Sequence, residues 1–131
     1  MWTIETGPRI TEWCGDRLGT VMAGPHQSFG IVRDGEVIGG CVFQNWNQHD
    51  IDVAVVGIGA SWPRAFLRRL GHYAFEELKC CRVTAITRSD NQRAVRVLNK
   101  FATYEGTKRK GFGSCDALIF GILKEEWPYG C

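Results

Sequence analysis

Three arginines crowd the start of what reads as a helix. Arg64, Arg68 and Arg69 fall in its first turns, while Glu76 and Glu77 sit near its end. A helix N-terminus already carries about half a positive charge, so a cation there is disfavoured by roughly 0.3–1 kcal/mol. No acidic residue stands four positions on to compensate: Arg64 faces Arg68, Arg68 faces His72 and Arg69 faces Tyr73. An anion docked at that end, held by free backbone N–H groups and guanidinium forks, accounts for the pattern. A solvated, screened basic patch is the alternative. Just before the helix, Gly57-Ile58-Gly59-Ala60 allows backbone to approach a ligand closely. A strand, a glycine turn and a helix in that order bind phosphate in several folds.

A second group lies further along. Ser89-Asp90-Asn91-Gln92 matches a capping box and predicts another helix start. Asn91 falls in its first turn, and Arg93, Arg96 and Lys100 share the polar face, where they meet phosphate or water. The other chemistry-bearing residues form no site. His26, His49 and His72 are far apart, and Cys14, Cys41, Cys80, Cys81, Cys115 and Cys131 include no C-x-x-C pair. Adjacent Cys80 and Cys81 suit neither a tetrahedral metal nor two easy disulfides, so reduced thiols and no metal are expected.

The elements that position these groups can be read from periodicity. Trp2–Glu5 predicts a short strand, and Ile10, Trp13 and Cys14 predict a helix over about 9–17. Ser28–Arg33 and Glu36–Phe43 flank Asp34-Gly35, a strong hairpin turn signal. Ile51–Val56 predicts a third strand of the meander. Ser61-Trp62-Pro63 opens the long helix, with Ser61 as N-cap and Phe66, Leu67, Leu70, Ala74 and Leu78 inward, running to about Lys79. Arg82–Arg88 alternates as a strand, the next helix turns Ala94, Val95, Leu98 and Phe101 inward, and Tyr104–Lys110 and Ala117–Leu123 predict two final strands. The unit from Ile51 to Arg88 requires a right-handed parallel crossover. The fold class is therefore α/β (α+β), a mixed sheet with helices on its faces.

Length and composition set the outer bounds. The 131 residues suit one domain, 1–131, and 44% apolar with 23% charged residues is ordinary for a globular protein. A net charge of +2 argues against a nucleic-acid binder. With no apolar run of spanning length and no signal peptide, a cytoplasmic location is expected.

Four segments carry a resemblance. Tyr73-Ala-Phe-Glu-Glu-Leu78, Arg82-Val-Thr-Ala-Ile-Thr87, Asn91-Gln-Arg-Ala-Val-Arg-Val-Leu98 and Tyr104-Glu-Gly-Thr-Lys-Arg109 together resemble the GNAT superfamily of N-acetyltransferases. The style is that of the branch acetylating ribosomal-protein N-termini and its small phage-encoded members, with Asp116 on a late strand. The match covers residues 61–123. It implies a mixed, mostly antiparallel sheet of six to seven strands with a splayed parallel pair, flanked by three to four helices.

The resemblance also implies a co-substrate, acetyl-coenzyme A. Its pantetheine arm would lie along Val53, Val55 and Val56, and its pyrophosphate against Gly59, Ala60, Ser61, Trp62 and Arg64. Asn91 matches the family asparagine at that site, and Arg96 is a further phosphate candidate. Three departures stand out: Ser61-Trp62-Pro63-Arg64 replaces a glycine-rich turn, Leu98 stands where many relatives carry an acid tyrosine, and Phe101-Ala-Thr103 replaces Gly-Phe. Acetyl transfer by direct amine attack needs a base, because an ammonium of pKa near ~10 is protonated at pH 7. Strand alternation selects Asp52, with Asp50 and His49 in reserve; backbone N–H groups near Val55 are expected to meet the oxyanion. Tyr104 is the acid candidate, with Ser114 and Cys115 as substitutes. Trp46, the Gln44–His49 loop and the first helix are expected to line the side of a protein, peptide or small-molecule amine. The tail Trp127–Cys131 is a surface for a partner subunit in a homodimer. A binding module that holds the coenzyme without turnover is the alternative function.

Overall fold

Asp34 and Gly35 take left-handed φ values of 52° and 82°, as a two-residue hairpin turn between right-twisted strands requires. They join β2 (His26–Arg33) to β3 (Glu36–Gln44) in the protein, a computed structural model of which describes residues 1–57 and 62–131. β1 (Trp2–Glu5) pairs antiparallel with β2, and β4 (Asp52–Val56) pairs antiparallel with β3. The crossover from β4 to β5 (Arg82–Arg88) makes the parallel pair expected from the strand–helix–strand order. β6 (Thr103–Lys108) and β7 (Ala117–Leu123) complete a seven-stranded sheet of order β1-β2-β3-β4-β5-β7-β6.

The two faces carry separate cores. α1 (Pro8–Leu18) crosses one face, burying Ile10, Cys14 and Leu18 against Val32, Val42, Ala54 and Val56. α2 (Arg64–Gly71) and α3 (Gln92–Leu98) cover the other, where Phe66, Leu70, Ala94 and Leu98 meet Phe43, Val53, Val55 and Phe120. Alternation along β4 thus divides Val53 and Val55 from Ala54 and Val56. Gly30 and Gly40 lie under α1; a Cβ on Gly30 would collide with Ile10, so glycine sets how closely the helix packs.

Three local expectations are corrected. The long helix begins at Arg64, with Pro63 at the cap position and extended (φ −63°, ψ 147°); Ser61 lies outside the described residues. Beyond Gly71 it widens into a π-helical segment, His72–Glu77, in which Leu78 N–H donates to the Tyr73 carbonyl at 3.0 Å. The widened turn seats both Tyr73 and Phe75 among core residues and brings Glu77 to Arg69 at 2.7 Å, giving that arginine the acidic partner that α-helical spacing denied it. At α3 the Ser89 capping box does not form. Asn91 is the N-cap, and its Oδ1 accepts from Ala94 N–H at 3.2 Å.

The tail makes contacts within its own chain. After a 3-10 turn (Lys124–Glu126), Trp127 and Tyr129 pack on their own chain, edge-on to Phe101 at 5.9 and 5.4 Å. Their rings are thereby used inside the protomer. Among the described residues no helix is long and apolar enough to cross a membrane.

Candidate active site

The parallel pair does not run its full length. β4 and β5 are paired at Asp52–Thr84, Val53–Ala85 and Ala54–Ile86, and the register ends there. β4 continues through Val55 and Val56 paired only to β3, and β5 continues through Thr87 and Arg88 paired only to β7. Two strands that share a ladder at one end and part at the other leave backbone donors and acceptors facing a gap. On the α2–α3 side of the sheet, Val53, Val55, Val83, Ala85 and Leu98 wall an apolar cavity. Thr87 has the parity of Val83 and Ala85 and so belongs to that side. It is 0% exposed, and among the described residues its Oγ1 has no hydrogen-bond partner. A buried hydroxyl left unpaired costs about 1–3 kcal/mol.

The helix start stands at the open end of this parting. Phe66 and Leu67 N–H both donate to the Pro63 carbonyl, at 3.0 and 3.2 Å, which leaves the N–H groups of Arg64 and Ala65 without intrahelical acceptors. Arg64 and Arg68 are exposed and have no carboxylate within salt-bridge reach among the described residues. The Arg64 guanidinium donates to the Pro128 carbonyl at 3.3 Å and lies 5.6 Å from the centre of the Tyr129 ring. The tail therefore aims Arg64 while leaving most of its donors unused. Trp62 is buried against Phe66 with its ring edge-on at 4.8 Å, and among the described residues its Nε1 also has no partner. At the start of α3, Asn91 keeps its side-chain NH2 after capping the helix, and Arg93, Arg96 and Lys100 are exposed. Gly59, Ala60 and Ser61, also expected at this site, lie outside the described residues.

The other end of β4 carries carboxylates. Asp52 has the parity of Ala54 and Val56, on the α1 side. Asn45, itself left-handed (φ 60°), donates its amide to Asp52 Oδ2 at 2.9 Å. Burial pushes the Asp52 carboxyl up from the ordinary aspartate value; the Asn45 hydrogen bond opposes this, Asp50 reinforces it, and Lys108 and Arg82 oppose it. Asp50 accepts from Thr84 Oγ1 at 2.7 Å and faces Arg82 Nε at 3.6 Å. Arg82 Nη2 in turn holds Glu105 Oε1 at 2.6 Å, and the pair lies flat over Gly121, where a side chain would strike it. The result is one carboxylate with a raised pKa beside a second that is fixed by a cation. That arrangement accepts a proton near neutral pH better than an isolated aspartate.

Tyr104 is not brought to this group. A bulge in β6 at Glu105 swings that carboxylate to Arg82, while Tyr104 stays on the α2–α3 side with its ring edge-on to Phe120 at 5.8 Å. It is 53% exposed and its hydroxyl meets Thr107. β5 and β7 intervene between β6 and β4, about 14 Å at the usual strand spacing, so Tyr104 serves no proton transfer at Asp52. Ser114 takes Arg88 Nη2 at 3.2 Å and belongs to a clamp that also ties Arg88 to the Leu18 carbonyl at 2.7 Å.

A cleft of about 490 Å³ opens beside Asn45. His26, Gln27, Gln44, Asn45, Trp46 and Tyr73 give it polar and aromatic walls, and no Asp, Glu, Lys or Arg lines it. Trp46 is 50% exposed. Of the residues expected on the acceptor side, Gln44, Asn45 and Trp46 border this cleft, Asn47, Gln48, His49 and α1 do not, and Tyr73 joins from the π-helical turn. Sequence reading missed Tyr73, Thr87, Tyr129 and the Arg82–Glu105 pair. Only Arg82 carried a signal, an arginine at the start of a predicted strand.

No protein-family profile matches this sequence, and no curated protein matches it. Solved structures do. A protein described as "Probable acetyltransferase" is 26% identical over 78% of this chain, with TM-score 0.63; the chain covers 64% of its length. An acetyltransferase (GNAT family) from Bacillus anthracis is 24% identical over 75% of this chain and 66% of its own, with TM-score 0.56. A dodecameric spermidine N-acetyltransferase from Vibrio cholerae is 13% identical, covers 96% and 95% of the two chains, and has TM-score 0.69. This is the GNAT fold. The resemblance to the GNAT superfamily implies acetyl-coenzyme A at the parted strands, and two observations fit it: the unpaired edge of β4 beyond Ala54 and, among the described residues, the orphaned hydroxyl of Thr87 where the parting begins. Among the described residues no three His, Cys, Asp or Glu side chains gather to hold a metal ion.

Proposed function

We propose that this protein is an N-acetyltransferase that moves an acetyl group from acetyl-coenzyme A to a primary amine of a protein or peptide. The single observation that carries this reading is the parting of β4 from β5 beyond Ala54, with Asp52 at the paired end of the same strand. Val53, Val55 and Val56 would take the extended arm, and Trp62, Arg64, Asn91 and Arg96 the phosphate end. When bound, the co-substrate supplies an activated thioester carbonyl. Asp52 takes the proton from the acceptor ammonium, directly or through one water. Asn45 fixes its rotamer, and burial, reinforced by Asp50, keeps its proton affinity high. Backbone N–H groups on the unpaired stretch near Val55 stabilise charge developing on the carbonyl oxygen.

The cleft beside Asn45 supports the choice of acceptor. A polyamine carries several positive charges and needs carboxylates to bind, whereas this cleft has amides, an imidazole and aromatic rings. Those groups suit a peptide backbone with a single amine. Incubation with labelled acetyl-coenzyme A, a cell lysate and, separately, spermidine tests this: label is expected on protein amines and not on spermidine. Label on spermidine alone would overturn the choice of acceptor, and label nowhere would overturn the enzyme. Free thiols agree with a reducing, cytoplasmic setting.

One observation favours a second reading. Leu98 is buried where a proton donor to the leaving thiolate is common, and Tyr104, on β6, is separated from β4 by β5 and β7. A GNAT-fold module that binds the coenzyme and a protein partner without turnover fits that feature. Tight coenzyme binding with no acetylated product identifies it.

A further inference from the structure

Among the described residues, Thr87 is the one buried hydroxyl without a hydrogen-bond partner. It is the first residue of β5 past its last pairing with β4, and its side chain is 0% exposed with Oγ1 unpaired among the described residues. Ser28 and Thr84, the other buried hydroxyls, are both satisfied: Ser28 Oγ donates to the Gly7 carbonyl at 3.0 Å and Thr84 Oγ1 to Asp50. A buried water is a poor explanation, because such a water needs two to four polar partners and Thr87 shares its face of β5 with the buried apolar Val83 and Ala85. A valine would fill the same volume, favour a strand equally and leave no group unpaired. The hydroxyl is thus a local cost at the point where two parallel strands open to admit an extended chain. Such a chain, if it carries amides, offers both a donor and an acceptor at strand spacing.

We propose that Thr87 Oγ1 hydrogen-bonds the amide-bearing arm of acetyl-coenzyme A inside the parting of β4 and β5. This rests on the coenzyme reading above and adds a side-chain contact to what would otherwise be backbone contacts alone. Binding breaks no hydrogen bond at this position among the described residues, since Oγ1 has no partner there. The same feature makes affinity and stability move in opposite directions on substitution.

Thr87→Val and Thr87→Ser separate the possibilities. Thermal midpoints of the free proteins and calorimetric titrations with acetyl-coenzyme A are measured for both and for the wild type. Thr87→Val is expected to melt at or above the wild-type temperature and to bind about ten-fold more weakly, or ~1.4 kcal/mol. Thr87→Ser keeps the hydroxyl and is expected to stay within about three-fold of wild-type affinity. Wild-type affinity in Thr87→Val overturns the proposal while leaving the coenzyme site intact. A Thr87→Val protein that melts lower or fails to fold also overturns it, because the hydroxyl then has a partner in the free protein. No binding by the wild type overturns the coenzyme reading and this proposal together.

Discussion

Asn45 holds Asp52: its side-chain amide donates to Oδ2 at 2.9 Å from a loop residue whose φ is 60°. The contact ties the loop that borders the acceptor cleft to the carboxylate at the start of β4. Left-handed backbone is tolerated better by Asn than by most residues, so the same residue makes the turn and supplies the donor.

Asp52→Asn tests the base. Loss of a general base lowers turnover about 10²–10⁴-fold, and because Asp52 sits at the paired end of β4, acetyl-coenzyme A affinity is expected to stay unchanged. Stability supplies a second readout. The folded Asp52 carboxyl has a raised pKa, so the folded state binds its proton more tightly than the unfolded chain. Its contribution is complete below the unfolded value and is lost as pH rises through the raised one. Asp52→Asn is therefore expected to melt above wild type at neutral pH, with the gap closing as pH falls toward the ordinary aspartate value. Preserved turnover removes Asp52 from the mechanism.

Asn45→Ala should displace the pH profile. The Asn45 hydrogen bond lowers the Asp52 pKa against burial, so its removal raises that pKa further. The acid limb of kcat/KM against pH is expected to move to higher pH. An unmoved limb would mean that another group titrates in it.

Arg64→Glu addresses the phosphate end. Arg64 is exposed and its contacts are with Pro128 and Tyr129 of the tail, so stability is expected to change by no more than about 0.5 kcal/mol. Acetyl-coenzyme A affinity is expected to fall at least about ten-fold, with a weaker salt dependence, because a charge-assisted contact becomes a repulsion. Equal affinities in wild type and variant would detach the arginines from the coenzyme.

How much of this was legible depends on whether the signal was local. The Asp34-Gly35 turn, the alternation in β4 and β5 and the crossover between them are local patterns, and the sheet follows them. The start of α3 was misread because Ser89, Asp90 and Asn91 are all good caps, and which one caps depends on where β5 ends. The π-helical turn was invisible because its extra residue accommodates packing of Tyr73 and Phe75 against distant strands. Arg64 was identified from misplaced charge, yet its contact with Tyr129 spans 65 positions in sequence and no pattern announces it. Thr87 reads as an ordinary strand residue until the neighbouring strand is seen to leave it. Glu105 needed a bulge to reach Arg82, and Tyr104 went to the wrong side for the same reason.

Thiol labelling checks the two-core arrangement without reference to function. Burial pushes the Cys14 thiol up to about 12 and the Cys41 thiol well above its ordinary value. The thiolate is the reactive form, so Cys14 and Cys41 are expected to resist alkylation until the protein unfolds, and buried Cys80 with them. Cys81 and Cys131 are exposed and should label first. Early modification of Cys14 or Cys41, read by peptide mass, would contradict the packing of α1 and of β3.

Gly39→Ala and Gly30→Ala make a matched pair that asks whether Trp62 belongs to the coenzyme site. A Cβ on Gly39 would stand 2.7 Å from Trp62 Nε1, on the α2 side, and one on Gly30 would strike Ile10 on the α1 side. Both overpack a core and are expected to cost about 1–3 kcal/mol, lowering the thermal midpoint by comparable amounts. Only Gly39→Ala displaces the indole that precedes Arg64 and whose unpaired Nε1 is free to donate. Acetyl-coenzyme A affinity is therefore expected to fall in Gly39→Ala and to hold in Gly30→Ala at a temperature where both remain folded. If the two variants lose affinity equally, the loss reports general loosening and Trp62 has no place in the site. If neither loses any, the helix start binds its anion without help from the ring, and the N–H groups of Arg64 and Ala65 act there with the Arg64, Asn91 and Arg96 side chains.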